Sequence, residues 1–156
     1  MAKGETRRAS RLAAVQALYE LDLSGKGIYE TLAEFEAHWL GREVDEIVFQ
    51  PADAPFFRAV VEGVVREQLV IDPRIDAALA KGWPLRRIEA VLRAILRCGA
   101  FELHFRKDVP AKVIITQYVQ VTQSFYAEDE PGLVNAVLDG LGREVRADEL
   151  DQRPAR

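Results

Sequence analysis

A chain of 156 residues, 49% hydrophobic and 29% charged, has the length of one domain and enough apolar content to bury a core, which excludes a disordered segment. Its net charge of −4 argues against a protein that grips nucleic acid over its whole surface. The one cysteine, Cys98, excludes an internal disulfide and a cysteine-based metal cluster, and no run approaches the roughly 20 apolar residues that span a bilayer. With no apolar leader before a cleavage site, a soluble cytoplasmic protein is expected.

Charge is concentrated at the start. Residues 1–11 carry Lys3, Arg7, Arg8 and Arg11 against Glu5 alone, a side-chain sum of +3 that leaves −7 for the remainder. Residues 1–6 read as a flexible basic arm. From Arg7 to Leu23 the apolar positions Leu12, Val15, Tyr19 and Leu23 recur at three- and four-residue steps, which predicts a helix. Ser24-Gly25-Lys26-Gly27 ends it. A second helix is expected over Ile28–Leu40, with Leu32, Phe35 and Trp39 inward. Gly41 to Asp53 has the weakest pattern and divides an amino-terminal group (about 7–50) from a carboxy-terminal one (about 51–146).

Pro55 suits the first turn of a third helix, buried through Phe57, Val60, Val61, Val64, Val65 and Leu69. Asp72-Pro73 looks like an N-cap and first residue, so a separate short helix is predicted there, with Ile75, Ala78 and Leu79 inward. Gly82 stops it and Trp83-Pro84 makes a corner. The next helix should run from about Arg86 to Phe105 on the line Ile88, Val91, Leu92, Ile95, Cys98 and Leu103. After Pro110 the β-branched Val113, Ile114, Ile115, Val119 and Val121 suit a strand. The spacing of Ile114, Tyr118, Val121 and Phe125 suits a helix, and helices on both sides favour that reading. A last helix opens at Glu130-Pro131 and buries Val134, Val137, Leu138, Leu141 and Val145, before a polar tail, 147–156, expected to be disordered. The result is an all-α domain of about seven helices.

Enzyme signatures are missing. Gly132, Gly140 and Gly142 match no phosphate-binding fingerprint. His38 and His104 are too scattered for a metal site, and Cys98 on an apolar line reads as a small core hydrophobe. No cofactor is implied. What remains is the arginine run: Arg7, Arg8 and Arg11 at three- and four-residue spacings share a helix face, and guanidiniums pair bidentately with phosphate and stack on bases. Tyr19 offers a stacking platform for an unpaired base, or else belongs to the core seam. Single-stranded RNA is the ligand this suits. A second basic stripe, Arg86, Arg93 and Arg97, is explained by a solvated face or by internal ion pairs.

Four blocks in order resemble the NusB family of bacterial transcription antitermination factors. They are Arg-Arg-Ala-Ser-Arg-Leu-Ala-Ala-Val-Gln-Ala-Leu-Tyr from Arg7, the Trp83–Leu103 stretch with Ala-Ile-Leu-Arg-Cys-Gly-Ala-Phe-Glu-Leu, Asp108–Val113, and Val134–Asp139. The resemblance implies an all-helical fold of two packed groups and a binding role without catalysis. The implied partners are single-stranded boxA RNA of nascent ribosomal RNA leaders, the ribosomal protein NusE, and the RNA polymerase antitermination complex. By position, Arg7, Arg8 and Arg11 match the RNA-contacting arginines and Tyr19 the aromatic contact. Phe125 and the Glu128-Asp129 turn match a further region near RNA, with Asp129 its site residue. The chain departs from the family at Leu92, Thr116-Gln117, Tyr126 and Glu130-Pro131-Gly132, the last removing positive charge near the implied RNA path. Alternatives are a NusB-like protein-binding adaptor, a homodimer that masks the arginines, and a detached NusB-like domain of an RNA cytosine-5 methyltransferase. The methyltransferase reading needs a cofactor domain and catalytic cysteines that this sequence does not hold.

Overall fold

The computed structural model describes residues 3–38, 43–44, 47–48, 53–79 and 84–150. Helix α1 (Lys3–Ser24) leads to α2 (Ile28–His38) through a turn in which Gly25 takes the left-handed φ of 71°. Two-residue strands β1 (Glu43–Val44) and β2 (Ile47–Val48) pair antiparallel, Glu43 opposite Val48 and Val44 opposite Ile47. Then follow α3 (Ala54–Ala78), a 3₁₀ turn (Leu85–Arg87), α4 (Ala90–Phe105), α5 (Ala111–Gln123), α6 (Glu130–Val145) and α7 (Ala147–Leu150). The predicted positions Trp39, Leu40, Gly82 and Trp83, most of 41–52, and residues 1–2 and 151–156 lie outside the described residues.

Helix α1 packs on α2, α3, α4 and α5, and its buried side consists of Ser10, Arg11, Ala13, Ala14, Val15, Ala17 and Leu18. This corrects the stripe read from the sequence: Val15 is buried, but Leu12 and Tyr19 are half-buried and Leu23 is exposed. The alanines explain the shift, since small side chains allow several helices to approach one axis closely. The helix also starts at Lys3, so residues 3–6 of the expected arm are helical.

Asp72-Pro73 does not restart the chain, and α3 runs through it with Pro73 inside. Pro73 can give no N–H to the carbonyl four residues back, at Leu69. That residue is 92% exposed, so water can serve the freed group. The buried line Phe57, Val60, Val61, Val64, Ile71 and Ile75 holds both halves in one helix. Val65, Leu69 and Ala78, expected inward, face solvent. Gly63 lets α3 and α4 touch, because a Cβ there would overlap the Phe101 ring.

Helix α4 starts later than the predicted Arg86. The Glu89 carboxylate accepts from the Val91 and Leu92 N–H groups and caps it. The β-branched segment after Pro110 is helical, burying Ile114, Ile115, Tyr118 and Val121. Residues 147–150 of the expected disordered tail form α7 instead. Arg146 fixes them: its guanidinium donates to the carbonyls of Glu102, Leu103, Arg106 and Val109 at 2.8–3.2 Å and to Glu149 at 2.7 Å. A cation thus closes the carboxyl end of α4. Glu149 accepts the Ala111 N–H at 2.9 Å, and this bond, with Arg146, holds its carboxyl below the usual range. Among the described residues seven α-helices are present, the predicted number, but only because one expected break vanished and one tail segment folded.

Candidate nucleic-acid interface

The arginine run divides at the surface. Arg8 is exposed, and its Nε donates to Gln117 Oε1 of α5 at 3.2 Å. Arg7 lies partly covered, its guanidinium 4.5 Å from the centroid of Phe56 and its Nε 3.9 Å from Asp53. Asp53 N-caps α3 by accepting the Phe56 N–H, while its own backbone N–H and carbonyl meet Ser10 Oγ, each at 2.8 Å. The start of α1 is therefore stitched to the start of α3, which brings Phe56 beneath the arginines.

Arg11 goes the other way. It is 2% exposed and pairs with Glu102, itself 0% exposed, through Nε at 2.8 Å and Nη2 at 2.9 Å. Tyr118 donates its hydroxyl to the same carboxylate. Burial opposes the charge on Arg11, yet the Glu102 bonds and the field of Tyr118 outweigh it and raise the pKa. Burial and the nearby Glu102 push the Tyr118 phenol well up, so it stays a donor. The expectation that Arg11 shares an open face with Arg7 and Arg8 is corrected: it is a structural residue held through Nε and Nη2 by a buried carboxylate.

Sequence spacing held the signal for this pair. Ile88, Val91, Ile95, Cys98 and Glu102 follow steps of three, four, three and four, so the carboxylate falls on an apolar stripe. A carboxylate there requires a buried partner, and Arg11 lies on the corresponding line with Ala14, Val15 and Leu18.

Arg8 and Gln117 meet, as do Arg11 and Tyr118, so α1 and α5 run in the same direction. Tyr19, three turns after Arg8 and on its face, and Phe125, just past α5, thus lie toward the same end of the helix pair. Tyr19 is half-buried in an open cleft of about 530 Å³ with Gln16, Glu20, Leu23, Ser24, Glu34 and Phe35. Phe125 is exposed. Asp129 is exposed at the N-cap position of α6, but its side chain makes no capping bond. The Tyr126 hydroxyl donates to Glu89, tying the loop that holds Phe125 to the start of α4.

One cation at the opposite end, beside Arg7, carried no sequence signal. Arg106, the C-cap of α4, sits 5.0 Å from the Phe56 centroid and pairs with Asp108 at 3.0 and 3.1 Å. The second basic stripe is internal: Arg93 and Arg97 both reach Asp22 at 3.2 and 3.3 Å, and Arg97 also forks onto Asp72 at 3.0 and 2.9 Å. Arg86 stays exposed.

The rest of the chemistry is quiet. Burial pushes the Cys98 thiol well above its ordinary value, leaving a neutral core group. Among the described residues no His, Cys, Asp and Glu group could hold a metal ion, and no helix is long and apolar enough to cross a membrane.

An all-helical domain with an arginine-bearing helix start, a flanking aromatic and a sealed thiol is a binding domain in its chemistry. The NusB family model matches residues 8–143, and the chain belongs to the NusB family. Transcription antitermination protein NusB of a Bradyrhizobium strain is 59% identical over 148 residues, 95% of this chain and 88% of that protein. Among solved structures, T. maritima NusB superposes with a TM-score of 0.76 at 26% identity, over 93% of this chain and 96% of that one. A NusB chain crystallised with NusE and double-stranded RNA gives 0.72 at 25% identity, over 88% and 96%.

Proposed function

We propose that this chain is an RNA-binding transcription antitermination factor. It binds the single-stranded boxA element of nascent ribosomal RNA leaders together with ribosomal protein NusE, loads on RNA polymerase and suppresses premature termination. The observation that carries the RNA contact is exposed Arg8 beside Arg7, whose side chain is still 16% exposed, at one end of a chain whose net charge is −4. A polyanion is drawn to that end and turned away elsewhere. Arg7 and Arg8 take phosphate, while Tyr19 and Phe125 offer ring surface to unpaired bases farther along. Asp129 brings negative charge, so its part in RNA contact is limited to accepting hydrogen bonds from base or ribose donors. Arg11 contributes by fixing the helix that carries Arg7 and Arg8.

The test is a titration of boxA-containing RNA, single- and double-stranded, with and without NusE, at several salt concentrations. Arg7→Ala with Arg8→Ala is expected to weaken binding and flatten the log-log salt slope by up to about 1.4, at about 0.7 per lost single-strand phosphate contact. NusE binding and helicity should persist. Unchanged RNA binding in the double variant would remove the arginines from the site. Sedimentation of the free protein and of the complex tests the homodimer: a dimer that covers the arginines must dissociate when RNA is added. A termination assay with RNA polymerase tests the last step.

A further inference from the structure

Three guanidiniums surround one phenylalanine. Phe56, 3% exposed in the first turn of α3, has Arg7 at 4.5 Å, Arg11 at 4.9 Å and Arg106 at 5.0 Å from its ring centroid. Each cation is attracted to the ring, yet three like charges this close repel one another. They are neutralised unequally. Arg11 is held by Glu102 at 2.8 and 2.9 Å, out of solvent. Arg7 pairs with Asp53 at 3.9 Å and its charge also reaches Asp108, while its Nε is buried without a hydrogen-bond acceptor among the described residues.

Arg106 has a full partner, but an exchangeable one. Its side chain is 23% exposed and that of Asp108 55%. A wet pair of this kind contributes little to stability, and a phosphate can take over its fork. Since Arg7 and Arg106 share one ring, their guanidiniums lie close enough for neighbouring phosphates of one strand to meet both. Arg8 is the next residue along.

We propose that Arg106 is a further RNA-phosphate contact, and that the Phe56 ring is the positioning residue holding Arg106 beside Arg7. This rests on the RNA-binding reading above. The surface is thereby assembled from the start of α1, the start of α3 and the end of α4, and extends beyond the arginine run. Asp108 acts as a placeholder for phosphate that keeps the Arg106 fork extended in the free protein.

Anisotropy titrations of a boxA-containing single-stranded RNA across salt concentrations test this on the full chain, with circular dichroism confirming the fold of each variant. Arg106→Gln is expected to weaken binding about 3- to 10-fold and to lower the salt slope by about 0.7. Arg106→Lys should restore the slope but not the full affinity, because an ammonium keeps the charge and loses the planar fork. Asp108→Asn, on the exposed loop, should tighten binding about 2- to 5-fold by removing the competing carboxylate. Phe56→Leu should lower affinity several-fold without removing a charge. A purely structural Arg106 would leave the salt slope of folded Arg106→Gln unchanged, and Asp108→Asn would bring no gain; either result overturns the proposal. Arg7→Ala with Arg8→Ala separates the two levels. If that variant binds weakly while the Arg106 and Asp108 variants bind normally, the arginine run stands and Arg106 falls. If all bind normally, the RNA-binding reading falls with it.

Discussion

Arg8 and Arg11 stand three residues apart on one helix, yet the fold gives them opposite work. Arg8 is open to solvent with one neutral partner, Gln117, whereas Arg11 is sealed against Glu102, Tyr118 and Phe56. Arg146, 2% exposed, repeats the inner case at the other end of the chain, with backbone carbonyls added to the Glu149 carboxylate. The difference lies in accessible donors. A guanidinium sealed in the interior has none to offer a ligand, and moving it would strand its partners in a low-dielectric interior. One with free donors at the surface is available to phosphate at small cost to stability.

The inner group should break hardest. Arg11→Ala leaves the Glu102 carboxylate buried and uncompensated, an expected loss of about 3–5 kcal/mol in urea unfolding. Replacing the network together, Arg11→Met with Glu102→Leu and Tyr118→Phe, should recover most of that loss, to within about 1 kcal/mol. If the triple variant is no better than the single one, packing and not the stranded charge is the cause. Arg146→Ala comes next, at about 3 kcal/mol, since four carbonyls lose a donor and α7 loses its tether. Faster amide exchange confined to residues 146–150 and the end of α4 would confirm it.

The outer group should barely register on the same scale. Arg7→Ala with Arg8→Ala is expected to change unfolding stability by less than about 1 kcal/mol while it weakens RNA binding, the reverse of Arg11→Ala. A large stability loss in that double variant would erase the distinction between the two groups.

The smallest effect concerns His104, half-buried with Nδ1 on the Ala100 carbonyl at 2.7 Å and Nε2 unpartnered. Burial lowers its pKa, opposed in part by the Ala100 bond, so the fold favours the neutral ring. The unfolded chain then binds more protons below its ordinary value of about 6.5. Stability is therefore present above that value and is lost as pH falls toward the depressed folded value. His104→Gln should flatten this part of the stability profile, and an unchanged slope would assign it to other groups.

Residue spacing alone settled a good deal. Turn residues and helical periodicity place the helices α1, α2, α5 and α6 near their observed bounds, because capping and apolar repeats act locally. The uneven charge marks the arginine end, and the lone cysteine on an apolar line marks a core residue. Tertiary packing decided what local rules could not. It carried α3 through Pro73, since a buried line on both sides of the proline, with Leu69 on the exposed side of the helix, outweighs one missing hydrogen bond. It chose Arg11 over Arg8 for the interior by setting Glu102, 91 residues away, against it. It also brought Arg106 to the Phe56 ring that Arg7 already touches. Which arginines face water depends on partners far along the chain: periodicity within one helix can mark a charge on an apolar line, but it does not name the partner that holds it there.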